Sequence, residues 1–84
     1  MKIQQKTPQA VKLQELFMSV LHRNGYRFLS HFCQRYGYHY RKTYQQIYYG
    51  KWINIDLVNS FLAKVEPNTK IILSGNEIML EISK

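Results

Sequence analysis

Hydrophobic side chains recur at helical spacing in the first third of the chain. Five apolar residues fall at positions i, i+3, i+4, i+7 and i+8: Leu13, Leu16, Phe17, Val20 and Leu21. Thr7 offers a side-chain oxygen as N-cap, and Pro8 suits the first helical position, where no N–H is needed. Asn24-Gly25 supplies a left-handed stop. The pattern therefore predicts a helix from Pro8 to about Arg23 with one buried stripe.

Three shorter helices are predicted after the first. Helical spacing continues over residues 28–36 and stops at Gly37, through the apolar positions Phe28, Leu29, Phe32, Cys33 and Tyr36. A third helix is expected from about Tyr40 to Tyr49, with its inward face formed by Tyr44, Ile47 and Tyr48. Asn54 caps a fourth helix, which ends at Glu66-Pro67 because a residue before proline disfavours helical geometry. Its inward residues are Ile55, Val58, Phe61, Leu62 and Val65.

The pattern changes to strict alternation near the C-terminus. Lys70 to Ser74 and Glu77 to Ile82 read as short strands, and Gly75-Asn76 is a two-residue hairpin turn. Counting outward from the turn places Leu73 opposite Ile78, Ile71 opposite Leu80, Ser74 opposite Glu77, Lys70 opposite Glu81 and Ile72 opposite Met79. An isolated hairpin is marginal in water. We therefore expect one face to pack on the helices, and Ile72 and Met79 on the other face to contribute to a dimer.

These elements predict a mainly α fold of four helices with a short C-terminal β-hairpin. The chain is expected to be a single domain over residues 1–84, with a helical core at about 7–66 and the hairpin at about 70–82. No apolar run exceeds three residues, and the first six residues lack the apolar core of a signal peptide. With Cys33 as the one cysteine, no intramolecular disulfide can form. A cytoplasmic protein is expected.

Positive charge is concentrated in the first two thirds of the chain. Residues 1–55 hold nine Lys and Arg against Glu15 alone, a net +8, whereas residues 56–84 hold three Lys against four carboxylates, a net −1. From Leu16 to Ile55 there is no Asp or Glu, and all seven tyrosines fall in this stretch. A one-sided positive field of this kind favours encounter with a polyanion and supplies sequence-independent affinity for phosphates. Nucleic acid is the expected partner, and a solvated basic face is the alternative.

A helix, a glycine turn and a short second helix with outward Arg, Lys and Gln is the layout of a helix-turn-helix. The wider pattern from Phe32 to Val65 resembles the lambda-repressor-like (Cro/repressor, XRE) family. Phe32-Cys33 stands where that family has Leu-Ala, Tyr36-Gly37-Tyr38 where it has Gly between apolar residues, Thr43-Tyr44-Gln45-Gln46-Ile47 where it has Thr-Ile-x-x-Ile, and Gly50-Lys51 where it has Gly-Lys. The interval from Gly37 to Gly50 is one residue longer than usual, which places an extra residue around His39.

The resemblance implies a sequence-specific double-stranded DNA-binding regulator, a repressor of the phage or mobile-element kind that binds a palindromic operator as a homodimer. Carried over by position, the base-reading residues would be Tyr40, Arg41, Lys42, Thr43, Gln45 and Gln46. Arginine and lysine can read guanine, and glutamine can pair with adenine. The residues that approach phosphates would be Ser30, His31, Lys51 and Trp52. The hairpin resembles the strand pair by which some Cro proteins dimerise.

Two other function classes remain open from the residues. One is a small interaction or inhibitor protein of the phage type, whose basic face mimics or blocks a nucleic-acid partner or binds RNA. The other is a basic ribonuclease toxin, in which His39 or a tyrosine would act as acid or base beside Arg41 and Lys42. The stretch without carboxylates offers nothing to orient such a histidine, so no enzyme is expected. Neither is a metal site or cofactor, because structural zinc needs four ligands at short paired spacings.

Overall fold

The structure is a computed structural model that describes residues 1–83. This part of the chain forms four helices and two small antiparallel sheets, and about half of it is helical. In chain order the elements are β1 (Lys2–Gln4), α1 (Pro8–Arg23), α2 (Leu29–Tyr36), α3 (Tyr40–Tyr48), β2 (Trp52–Asn54), α4 (Ile55–Val65), β3 (Thr69–Ser74) and β4 (Glu77–Ile82). The predicted mainly α class, its four helices and the hairpin are confirmed. None of the helices described is both long and apolar enough to span a membrane.

The helix boundaries follow from local capping. The Thr7 hydroxyl accepts a hydrogen bond from the Ala10 N–H at 3.2 Å, and Pro8 opens α1. The Asn54 side chain accepts from the N–H of Asp56 at 2.9 Å at the start of α4. At the end of α2, Gly37 has φ 75°, a left-handed conformation that costs glycine little. These caps confirm the predicted starts of α1 and α4 and the predicted end of α2.

Three phenylalanine rings join the helices in the core. Phe17 of α1, Phe32 of α2 and Phe61 of α4 lie with ring centroids 6.1 to 6.4 Å apart, and all three are buried. Phe28, predicted on the apolar stripe of α2, is instead the N-cap residue and is 58% exposed. The stripe therefore begins one residue later, at Leu29, because the chain is still extended at Phe28.

The C-terminal hairpin has the predicted register. Leu73 pairs with Ile78, Ile71 with Leu80 and Ile72 with Met79. Asn59 of α4 fixes this hairpin to the helices: its amide oxygen accepts from the Ile71 N–H at 2.7 Å, and its amide N–H donates to the Ile71 carbonyl at 2.8 Å. The side chain thus acts as a strand partner at the outer edge of β3.

A second sheet was not predicted. Strands β1 and β2 pair antiparallel, with Ile3 opposite Ile53, Lys2 opposite Asn54 and Gln4 opposite Trp52. Both isoleucines are buried, which joins the N-terminus to the core. Three residues are too few to show an alternating pattern, and the partners lie about fifty residues apart in sequence. The predicted helical core at about 7–66 therefore omits a strand that precedes it.

Glu66, at the C-cap of α4, ties the end of α1 to the start of the hairpin. Its two carboxylate oxygens accept hydrogen bonds from both Arg23 Nε (2.7 Å) and Nη2, from Asn24 Nδ2 (2.6 Å) and from Thr69 Oγ1 (2.7 Å). The bonds from Arg23 are the main cause that lowers the pKa of the Glu66 carboxyl to about 2. The same pair raises the pKa of the Arg23 guanidinium. Three elements thus depend on one ionised carboxylate.

Replacing Glu66 by Gln should lower the free energy of unfolding at pH 7 by about 1 to 2 kcal/mol, since charged hydrogen bonds are lost but Arg23 is partly exposed and screened by solvent. The pKa of Glu66 is depressed in the folded state, so its contribution is complete above about pH 4.5 and is lost as pH falls towards about 2. Urea unfolding of both proteins across this range should show the difference shrink to zero.

The control for this experiment is Glu81→Gln, which removes the exposed Lys70–Glu81 pair at 3.7 Å. That change should cost about 0.5 kcal/mol or less. If Glu66→Gln costs no more than Glu81→Gln at pH 7, the network does not stabilise the fold as argued.

Candidate nucleic-acid interface

The outward face of α3 is polar and basic. Helical spacing i, i+1, i+4, i+5 puts four exposed side chains on one side of this helix: Arg41, Lys42, Gln45 and Gln46. They face solvent because Thr43 and Ile47 on the opposite side are buried. The structure therefore brings together four of the six predicted base-reading residues, and all four long side chains are free to extend from the surface.

Thr43 was predicted to read bases, and this is wrong. Its side chain is 3% exposed, and its hydroxyl donates to the His39 carbonyl oxygen, one turn earlier, at 3.0 Å. The position belongs to the core face of α3, next to Ile47. Burial also raises the pKa of the neighbouring Cys33 thiol in the core.

A row of tyrosines borders the polar face of α3. Tyr40, Tyr44 and Tyr48 follow at i, i+4 and i+8, with ring centroids 5.8 and 4.8 Å apart, and Tyr49 meets Tyr44 edge-on at 5.5 Å. Tyr40 and Tyr49 are exposed, whereas Tyr44 and Tyr48 are half-buried. Burial raises the pKa of the Tyr48 hydroxyl, so it remains neutral. Tyr40 is the residue of this row that was predicted to read bases, and its side chain is exposed.

Two glutamines hold the C-terminal end of α3. The Ile47 carbonyl accepts from Gln5 Nε2 at 3.0 Å and from Gln14 Nε2 at 3.0 Å, and Gln14 also donates to Gln5 Oε1 at 3.1 Å. The last carbonyls of a helix lack intrahelical partners, so these amides satisfy one of them. At the other end, His39 is the N-cap, and its Nδ1 accepts from the Lys42 N–H at 3.4 Å. The C-terminal end of α3 is thereby bonded to α1 and to the segment before it, whereas the N-terminal end is capped locally.

The predicted phosphate contacts lie in two places. Ser30 and His31 are exposed in the first turn of α2, and the His31 ring packs edge-on against Phe28 at 5.3 Å. Arg35 is exposed one turn after His31 on α2, and Arg27 is exposed in the residues that precede this helix. The two arginines belong to the basic stretch seen in the sequence but were not predicted as site residues. They extend the basic surface beyond α3 to α2.

Lys51 and Trp52 lie elsewhere, on the second sheet. Trp52 is in β2 with its side chain on the solvent face, opposite Gln4 and on the same face as Lys2. The Lys51 carbonyl accepts from the Gln5 N–H at 2.8 Å, which brings the chain around Lys6 to the same edge. No site role was predicted from the sequence for Lys2 or Lys6, because only the pairing of β1 with β2 places these lysines near Lys51 and Trp52.

Ion pairing changes the charge distribution read from the sequence. Arg23 is bound to Glu66, and Asp56 binds the Met1 ammonium at 2.6 Å. Within residues 1–83, the remaining cations of the carboxylate-free stretch form no salt bridge: Arg27, Arg35, Arg41, Lys42 and Lys51. The uncompensated positive charge thus lies on α2, α3 and the turn that precedes β2, and not at the C-terminal end of α1.

The ribonuclease alternative gains no support from the arrangement, because His39 uses Nδ1 to cap α3 and is followed by no orienting carboxylate. No group of three or more His, Cys, Asp or Glu that could hold a metal ion occurs in the described chain. In comparisons with family models, curated proteins and solved structures, no significant match to this chain was found.

Gln14→Leu should loosen the C-terminal turn of α3, because Ile47 loses one of its two amide donors. We expect a loss of about 1 kcal/mol in stability and faster hydrogen exchange of the backbone amides of the last turn of α3. The matched change Gln34→Leu alters an exposed glutamine of α2 whose side chain makes no hydrogen bond within residues 1–83. Equal exchange rates in the two variants would show that Gln14 does not hold this turn.

Proposed function

We propose that this protein is a sequence-specific double-stranded DNA-binding regulator of the lambda-repressor-like kind. In this proposal α2, the turn 37–39 and α3 are the helix-turn-helix, and α3 enters the major groove. The observation that carries it is the exposed polar face of α3, a helix that is capped at its N-terminus, bonded to α1 at its C-terminus and accompanied by cations without salt bridges within residues 1–83. The major groove, about 12 Å wide, admits such a helix.

Each exposed residue of α3 has a role in the proposal. Arg41 and Lys42 would donate to the two acceptors of guanine, and Gln45 or Gln46 would pair bidentately with adenine. Outside α3, Ser30, His31 and Lys51 would contact phosphates and set the register of the protein on the duplex. Contacts to the backbone carry affinity, whereas contacts to the bases carry discrimination, so the two groups of residues can be separated by experiment.

The proposed regulator acts as a homodimer through the outer face of the hairpin. Ile72 and Met79 pair across β3 and β4 on that face, and Met79 is 41% exposed. An apolar pair on a solvent face of a two-stranded sheet gains from being covered. Two copies related by a two-fold axis would place their α3 helices on half-sites about 34 Å apart, so that occupancy of a palindromic operator blocks a promoter.

The function is tested by selecting duplexes from a random-sequence pool and measuring their affinity by fluorescence anisotropy near physiological salt. The selected duplex should bind about a thousandfold or more tightly than a scrambled duplex, as specific sites do. Equal, salt-sensitive binding to both would contradict sequence-specific recognition. Failure to bind any duplex would favour an inhibitor that acts on another protein.

Arg41→Ala should cost about 1 to 3 kcal/mol on the selected duplex and relax the preference at one base pair. Lys51→Ala should weaken selected and scrambled duplexes equally and reduce the salt dependence of log K by about one unit, because one phosphate contact is lost. Anisotropy titrations at several salt concentrations separate the two effects. If both variants change specific and random binding in the same proportion, α3 does not read the sequence.

Met79→Lys should give a monomer, because it places a charge in the centre of the proposed interface. Analytical ultracentrifugation over a range of concentrations would measure the shift, and circular dichroism would verify that the variant stays folded. Val11→Lys is the control, since it adds the same charge at an exposed apolar residue of α1. A dimer that survives Met79→Lys but not Val11→Lys would move the interface from the hairpin to α1.

A further inference from the structure

The sheet formed by β1 and β2 presents a tryptophan to solvent. Trp52 is 53% exposed, whereas its neighbour Ile53 is buried. Its cross-strand partner Gln4 is also exposed, so the indole stands on the outer face of the sheet. No aromatic ring within residues 1–83 packs against it, in contrast to all seven tyrosines. A large amphipathic ring is thus left without an aromatic neighbour.

Lysines lie on and beside this sheet. Lys2 lies on the same face of the sheet as Trp52, two pairs further along, and Lys51 directly precedes Trp52. Lys6 follows Gln5, whose N–H binds the Lys51 carbonyl. Asp56, which follows the opposite end of β2, is paired with the Met1 ammonium. Three lysines from two distant segments therefore lie on or beside the sheet that carries Trp52.

We propose that this face binds single-stranded DNA, with an unpaired base stacked on Trp52 and its phosphates contacted by Lys2, Lys6 and Lys51. A lysine-bordered aromatic ring is the chemistry that non-specific single-strand binders use, because every base has a π face and every nucleotide a charge. Tyr49 is a second exposed ring, in the connection between α3 and this sheet. The binding mode is independent of the base-reading residues of α3.

The choice of DNA over RNA rests on the proposed function. The sheet follows α3 after residues 49–51, and Gln5 bonds both the Ile47 carbonyl of α3 and the Lys51 carbonyl, so the sheet begins next to the C-terminal end of the proposed duplex-binding helix. The stacking itself uses no 2′-hydroxyl, since an aromatic ring contacts the face of the base. The experiment must therefore distinguish binding of single-stranded DNA from binding of RNA.

The experiment uses the intrinsic fluorescence of Trp52, which is the single tryptophan of the chain. Titration with an oligothymidylate of about 12 nucleotides should quench its emission to a plateau, because a stacked base quenches indole fluorescence. In parallel, anisotropy of the labelled oligonucleotide should show that Trp52→Leu weakens binding about 5- to 100-fold, and that Trp52→Phe restores most of it. Phe28→Leu, at an equally exposed ring on α2, should leave the affinity unchanged.

Three results would overturn the proposal. The first is anisotropy that reports binding without quenching, which would indicate contact by charge alone. The second is equal affinity of Trp52→Leu and Phe28→Leu, provided that circular dichroism shows both folded. The third is tighter binding of oligouridylate than of oligothymidylate by about tenfold or more, which would assign the face to RNA. Arg41→Ala separates this proposal from the duplex function: it should weaken binding of the selected duplex and leave quenching by oligothymidylate intact.

Discussion

The position of Phe32 determines how the rest of the molecule is arranged. Its ring lies 5.2 to 6.2 Å from five other aromatic rings, which come from α1, α4, the end of α2 and the segments on either side of α2: Phe17, Tyr26, Tyr36, Tyr38 and Phe61. Helices of eight or nine residues, such as α2 and α3, are not stable alone in water. They persist because Phe32 and the rings around it bury a large apolar area at one point. The turn 37–39, and with it the direction of α3, is thereby fixed relative to α1 and α4.

The tyrosines form two groups with different structural roles. Tyr26, Tyr36 and Tyr38 pack around Phe32, and Tyr26 donates a long hydrogen bond of 3.4 Å to the Tyr36 hydroxyl. The other four line α3 and contact one another. A tyrosine suits both settings because it buries its ring and leaves its hydroxyl at the surface. Among the basic residues, Arg23 is bound to Glu66 and the Arg35 guanidinium lies over the Tyr36 ring, 5.6 Å from its centroid. Arg41 and Lys42 are exposed on α3 and form no salt bridge within residues 1–83. Buried aromatic rings therefore hold the helices together, and the cations of α3 remain exposed to solvent.

The structural features that the sequence predicted correctly are those determined by residues close together in the chain. The stripe around Leu13 and Phe17, the caps at Thr7 and Asn54 and the hairpin turn at 75–76 are fixed by neighbours within a few residues, and the structure has them as predicted. The β1–β2 sheet and the bonds from Gln5 and Gln14 to Ile47 join residues that are far apart in sequence, and glutamine carries no periodic signal. For the candidate interface, the exposed residues of α3 followed from helical spacing. The prediction for Thr43 was wrong because it was carried over from the family resemblance, although helical spacing places Thr43 on the buried side of α3.

The unpredicted N-terminal segment connects the two surfaces for which binding is proposed. Gln5 donates through its side chain to the carbonyl of Ile47, at the end of α3, and through its backbone to that of Lys51, at the start of the β1–β2 sheet. One residue thus bonds to both the end of α3 and the edge of the sheet that carries Trp52. Displacement of this segment would remove one of the two amide donors to the Ile47 carbonyl and leave the bond from Gln14. The end of α3 and the sheet edge therefore share one structural support, although they lie on different elements.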